Sequence, residues 1–147
     1  MTPLAIDATG NDLTYRLIGI AMRVHSRLGP GYKEEVYERA FAVELEAENI
    51  AFKRQHQVVV EYDGVPVALF ILDLWVADEV VVEIKAFSHQ LTNDELAQMI
   101  NYLKATGATI GLLFNFGRRR LEYRRVFPGK NLDEPVQRLG RDNVKKS

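Results

Sequence analysis

Between Phe70 and Ala86 the chain reads FILDLWVADEVVVEIKA, an almost wholly apolar stretch broken by Ala77-Asp78-Glu79. Runs this rich in Val, Ile, Leu and aromatics read as strands buried on both faces. Within them stand Asp73, Glu83 and Lys85. A charge buried in a sheet costs several kcal/mol, on the order of a whole domain's margin, unless it is paired, hydrogen-bonded or bound to a metal. In the second run side chains alternate, so Glu83 and Lys85 share a face with Val81, while Val82, Ile84 and Ala86 take the other. Two acids and a lysine gathered at strand ends suit metal-dependent phosphodiester hydrolysis. The bland alternative is a buried salt bridge from Lys85 to Glu83 or Asp73.

The elements that must position these residues follow from periodicity. Leu13, Leu17, Ile20, Ala21, Val24 and Leu28 recur at helical spacing after Asn11 and Asp12, either of which could cap a first helix. Gly29-Pro30-Gly31 stops it. A second helix is expected over about 33–48, with Tyr37, Phe41 and Leu45 as its buried stripe. Carried back one turn, that stripe reaches Glu34, placing this acid at the end of the buried face, with Glu35 and Glu46 towards water. Phe52 to Tyr62 reads as a strand, Asp63-Gly64 as a hairpin turn, and Val65 to Val76 as the returning strand. A short turn leads into 80–86, completing an antiparallel meander. Thr92 and Glu95 have the capping-box spacing for a third helix ending at Gly107. Gln98 and Tyr102, four apart, share one flank of it. Strands over 109–115 and 121–127 complete the order α-α-β-β-β-α-β-β. That is an α/β sandwich with a mixed sheet.

Length and composition limit the alternatives. The chain has 147 residues, which suggests one domain, expected over 12–128, with an N-terminal arm (1–11) and a polar C-terminal tail (129–147). It has no cysteine, which excludes disulfides, thiol chemistry and cysteine-ligated metals. No apolar run is long enough to span a membrane and no signal peptide is evident, so a cytoplasmic location is expected. Net charge is −1, but residues 116–147 hold 10 Lys+Arg against 4 Asp+Glu, so phosphate contacts could be local to that end.

Among the other candidates, His25 and His56 read as packed or solvated side chains, and His89, four residues beyond Lys85, as one that could approach a substrate. Arg118, Arg119, Arg120, Arg124 and Arg125 could grip a nucleic-acid backbone or simply protect a sheet edge. There is no Ser/His/Asp array, Gly-rich phosphate loop or zinc spacing.

With Gly31, Glu34, Tyr37, Asp73, Glu83, Lys85, Gln98 and Tyr102 together, the chain resembles the GxxExxY proteins, a branch of the PD-(D/E)xK nuclease superfamily. The naming motif stands as Gly31-Tyr-Lys-Glu34-Glu-Val-Tyr37. Val-Glu83-Ile-Lys85-Ala, Asn101-Tyr-Leu-Lys-Ala-Thr-Gly107 and Leu112-Leu-Phe-Asn-Phe-Gly117 also match, and the resemblance covers roughly residues 13–127. It implies a restriction-endonuclease-like αβββαβ core, with an extra N-terminal helix and C-terminal strand. It implies Asp73 and Glu83 as metal-binding acids for Mg²⁺ or Mn²⁺, joined by Glu34 directly or through water, and Lys85 as the catalytic lysine with Gln98 in support. Nucleic acid, DNA first, is the implied partner, with Tyr102 of the Q-x-x-x-Y pattern as a contact; Arg118, Arg119, Arg120 and Arg124 are the contacts expected from the basic residues themselves. Two departures stand out: Leu72 replaces the usual proline before the first acid, and Glu95-Leu96-Ala97-Gln98 replaces a common His-Glu-Ala-Gln. The competing readings are a catalytically silent nuclease-fold module that binds nucleic acid or a protein, and an interaction protein, most simply a homodimer through the apolar first helix.

Overall fold

The computed structural model describes residues 11–128; the expected arm before Asn11 and the polar tail from residue 129 lie outside the described residues. The elements are α1 (Asn11–Leu28), α2 (Glu34–Ala47), β1 (Phe52–Tyr62), β2 (Val65–Val76), β3 (Val80–Lys85), α3 (Asn93–Thr106), β4 (Ile110–Asn115) and β5 (Glu122–Val126). The strands form one sheet in the order β1-β2-β3-β4-β5. Only β3 and β4 run parallel, and α3 is their crossover; the other three pairs are antiparallel.

The turns obey the residue chemistry. Asp63 and Gly64 both adopt positive φ (50° and 79°), the twist a two-residue hairpin needs. Ala77 and Asp78 do the same (54° and 56°) between β2 and β3. The expected capping box is made: Asp94 N donates to Thr92 Oγ1, and Thr92 N donates to Glu95 Oε1 at 2.6 Å. At the other end of α3, Gly107 takes the left-handed conformation and its N–H closes on Leu103 O.

The sheet buries both faces. On one side lie α1 and α2, whose Leu17, Ile20, Ala21, Tyr37, Phe41 and Leu45 pack on Leu74, Val82, Ile84, Leu112 and Phe114. On the other lies α3, with Met99, Tyr102 and Leu103 against Leu72, Val81 and Leu113. The apolar stripe of α1 is thus consumed by the core, leaving Tyr15 and Met22 as its exposed large apolar residues. Among the described residues no helix is long and apolar enough to cross a membrane.

The long β1–β2 hairpin is not a plain ladder. Leu74, Val76 and Phe52 pack under α1 and α2, whereas Phe70, Leu72 and Val58 pack under α3. Residues of one parity therefore change face along both strands. The change occurs between the pairs Arg54↔Leu74 and His56↔Leu72, where Gln55 stands opposite Asp73. Gln55 has φ +51°, a left-handed conformation uncommon for a side-chain-bearing residue and costing about 1–2 kcal/mol.

Candidate active site

Regular pairing of β2 with β3 covers only Leu74↔Val82 to Val76↔Val80. Beyond Leu74 the strands part, and two carboxylates take over the role of the ladder. Asp73 N donates to Glu83 Oε2 at 2.9 Å, and Ile84 N donates to Asp73 Oδ2 at 2.8 Å. Each acid is held by the other strand's main chain through one oxygen. Val81 packs under α3 and Val82 and Ile84 under α1 and α2, so alternation puts Glu83, whose partner Leu113 also packs under α3, on the α3 side.

These acids are electrostatically uncomfortable. Glu83 is 4% exposed, and its burial, then the Asp73 charge beside it, push its carboxyl well above the usual carboxylate range. Burial also pushes Asp73 up, to about 6, and the charges of Glu38 and Glu34 add to the rise; the Ile84 N–H and Lys85 oppose it. No ion pair to either acid forms among the described residues, so the buried-salt-bridge alternative for Lys85 is not realised. Lys85 Nζ instead donates to Gln98 Oε1 on α3 at 3.3 Å. Tyr102, one turn further along α3, is 8% exposed and stacks obliquely on Phe70 with centroids 5.2 Å apart. Its burial, and then the two acids, raise its hydroxyl to about 12. Tyr102 is therefore a wall of the site, with little ring surface left for the nucleic-acid contact expected of it.

Glu34 departs from expectation. It is the first residue of α2 and is exposed, so no preceding turn carries the buried stripe to it. It lines an open cleft of about 500 Å³ with Gly31, Tyr32, Lys33, Glu35 and Ala86, the residue after Lys85. It stands at the rim, near enough for its charge to act on Asp73. The motif around it has a mechanical reading. Gly31 needs its φ of +117°, and the Tyr37 hydroxyl donates to Gly29 O while accepting from Tyr32 N, so the loop leading into α2 is stapled.

The acid that α2 does bury is Glu38, 5% exposed. It accepts from Arg54 Nε at 3.0 Å and from Gln55 Nε2 at 2.9 Å, clamping the rung opposite Asp73. The buried set Tyr37, Glu38, Phe41, Ala42, Leu45 is two residues wide, so a stripe drawn at every fourth position misses it. Asn115 was likewise missed. It is fully buried and sits in one row with Lys85 on β3 and Glu122 on β5. Its Oδ1 accepts from Phe87 N and Gly117 N, and its Nδ2 donates to His89 O. Glu122 accepts from Leu91 N. The loop that leaves Lys85 is thereby pinned.

Gly117 completes this clamp. A Cβ there would fall 2.4 Å from Phe87 O and 2.5 Å from Ala86 C, both backbone atoms. Gly117→Ala should accordingly cost about 1–3 kcal/mol, as overpacking does. The check is a urea titration of both proteins, and an unchanged midpoint would refute the close approach.

The arginines fall in different places. Arg124 pairs with Leu113, itself the partner of Glu83, so it shares the α3 face about 10 Å from Glu83 across two strand spacings. Arg125 is on the opposite face, in a groove with Tyr15, Met22 and Tyr123. Arg119 and Arg120 are exposed on the turn before β5, while Arg118 leans on Glu122 at 3.8 Å. His25 Nε2 lies 2.9 Å from Arg118 O and is structural, and His56 stacks on Trp75.

Asp73 and Glu83 are suited to a hard divalent cation. Glu83 is buried and Asp73 half-buried, each has one oxygen spent on a main-chain N–H, and neither forms an ion pair with a basic side chain among the described residues. No group of three or more His, Cys, Asp or Glu residues gathers in metal-holding geometry among the described residues, so Glu34 does not complete a three-acid cage.

Comparison with known proteins agrees with this architecture. An alkaline exonuclease, LHK-Exo, from Laribacter hongkongensis shares the fold with a TM-score of 0.50 at 13% identity, over 94% of this chain and 77% of that one. No curated protein matches in sequence. The model of the PD-(D/E)XK nuclease superfamily matches residues 11–126, nearly the whole described chain with its parting strands, acid pair and lysine, and the protein belongs to that superfamily.

Proposed function

We propose that this chain is a divalent-metal-dependent nuclease that hydrolyses phosphodiester bonds in nucleic acid, and that it belongs to the GxxExxY branch. The observation that carries the reading is the Asp73–Glu83 pair, a half-buried and a buried acid set side by side with no ion pair to a basic side chain among the described residues, and with Lys85 one alternate position further along β3. Superfamily membership supports it. The Gly31, Glu34 and Tyr37 spelling supports the branch.

Asp73 and Glu83 would hold Mg²⁺ or Mn²⁺, with Glu34 at the rim reaching it through water. The bound ion would polarise the phosphate and make water a better nucleophile. The protein's own part is positional. Gln98 Oε1 fixes the Lys85 ammonium, which donates to a phosphate oxygen and offsets the charge that grows there. Tyr102 and Phe70 keep that side of the site dry, which strengthens each charge interaction. Arg124, Arg119 and Arg120 supply cationic contacts for a strand crossing the α3 face. DNA is the first substrate to test.

The deciding experiment incubates wild type and Lys85→Ala with labelled single- and double-stranded DNA and RNA, in Mg²⁺, Mn²⁺ or EDTA. Metal-dependent cleavage is expected from wild type, reduced at least a hundredfold in Lys85→Ala, the scale of losing one such charge-stabilising group. Equal cleavage by both proteins would sink the assignment. Binding without cleavage under any metal would favour a silent nuclease-fold module.

A further inference from the structure

Resting on the nuclease reading above, we propose that the loop from Ala86 to Leu91 is a base-stacking platform for a single-stranded stretch of the substrate, with the His89 ring as its contact face. The loop leaves the strand that carries Lys85, so whatever it holds lies beside the reacting phosphate. Its two rings, Phe87 and His89, are stacked on each other with centroids 4.5 Å apart and planes 16° from parallel. Phe87 is anchored, packed in part against the core under α3, whereas His89 is exposed.

The platform is pre-organised at every level. Phe87 N, His89 O and Leu91 N are each tied down, to Asn115 Oδ1 at 2.8 Å, to Asn115 Nδ2 at 2.9 Å and to Glu122 at 3.1 Å. Gly117 lets the β4–β5 turn press against the backbone of Ala86 and Phe87. The His89 ring is itself fixed, its Nδ1 lying 2.8 Å from Gln90 O; a carbonyl only accepts, so Nδ1 carries the hydrogen. A ring already held costs little further entropy on binding.

The exposed ring adds nothing to the core, yet the buried Asn115 and the half-buried Glu122 are spent on holding its loop. The Gly117 contact also sets the turn of Arg118, Arg119 and Arg120 next to the platform. Aromatic rings beside backbone-gripping cations are the combination that holds single strands, because an unpaired base offers its π-face to any flat ring. Bases stacked within a duplex do not.

The test is a double-mutant cycle between ring and base, run in a Lys85→Ala background with Mg²⁺ so that the strand stays whole. Fluorescence anisotropy compares a short labelled single-stranded DNA with a fully abasic oligomer of the same length and charge. With His89 present, the bases should strengthen binding about tenfold, as one stacked base does. His89→Ala should lose that tenfold on DNA, leave the abasic oligomer unchanged, and keep the melting midpoint. His89→Phe should restore it. Equal weakening of both oligomers by His89→Ala, no weakening at all, failure of His89→Phe to restore binding, or no binding by either oligomer at low salt would each overturn the platform. Wild-type cleavage, assayed separately, decides the nuclease reading. An intact cycle without cleavage would remove catalysis and keep the platform, and cleavage without the cycle would do the reverse.

Discussion

Asp73→Asn should abolish metal-dependent cleavage, by more than the ten- to hundredfold typical of losing a group that merely supports a metal ligand, and yet make the metal-free protein more stable. The sign follows from the raised carboxyl, about 6 when folded against an ordinary 3.8. Well below pH 3.8 the group is protonated in folded and unfolded chains alike and contributes nothing. As pH rises through the window from 3.8 to about 6 the unfolded chain ionises first, and the folded state accumulates a penalty that is complete above that window. Asn keeps an oxygen to accept from Ile84 N and carries no charge. In EDTA at pH 7.5 the variant should be roughly 3 kcal/mol more stable than wild type, and the gap should close towards pH 3. Millimolar Mg²⁺ should raise the wild-type melting temperature and leave the variant's unmoved, since only a site that binds the folded state stabilises it. Denaturant titrations at several pH values, with and without Mg²⁺, decide the matter; a variant less stable than wild type in EDTA at pH 7.5 would contradict it.

Glu38→Ala should be the most destabilising single change at the site, by about 3 kcal/mol, the range for breaking one side of a buried ion pair. It strands Arg54, whose side chain is only 30% exposed, and frees Gln55 from the contacts that offset its left-handed backbone. Because Gln55 stands opposite Asp73, the loss should reach the proposed metal site as well. Calorimetry on Glu38→Gln, which retains an acceptor for Gln55, should show weakened Mg²⁺ binding in a protein that still unfolds cooperatively. Unaltered Mg²⁺ affinity in that variant would confine Glu38 to folding.

These two residues also mark how far the chain can be read unaided. Asp73, Glu83 and Lys85 were legible because charge inside an apolar strand is anomalous, and alternation put Glu83 and Lys85 on the face of Val81, which in the structure packs under α3. The Asp63-Gly64 turn and the Thr92–Glu95 capping box were legible because both are settled within four residues. Glu34 was misplaced because periodicity does not say where a helix starts relative to the sheet: α2 begins at Glu34, beyond the body it packs on. Glu38 gave no signal, since its partners Arg54 and Gln55 come from a different element, 16 and 17 residues away. Asn115 reads as one more residue in a strand until the 87–91 loop, up to 28 residues distant, is folded against it. The Gln55–Asp73 switch of faces was beyond alternation altogether, because alternation assumes the ladder it breaks.

The spacing of the acid pair has a kinetic side. Asp73 and Glu83 are 10 residues apart across a single tight turn, whereas the clamp on the loop after Lys85 spans 28 and β3 meets β4 only once α3 has crossed over. Hairpins close in roughly 1–10 μs, and pairings through long crossovers come later. The β2–β3 hairpin should thus form early, bringing two like charges together before most of the core exists to hold them. If the pair is the metal site proposed above, their repulsion would add to the folding barrier, so refolding should be faster where those acids are protonated or a divalent cation is present, and slower under chelation.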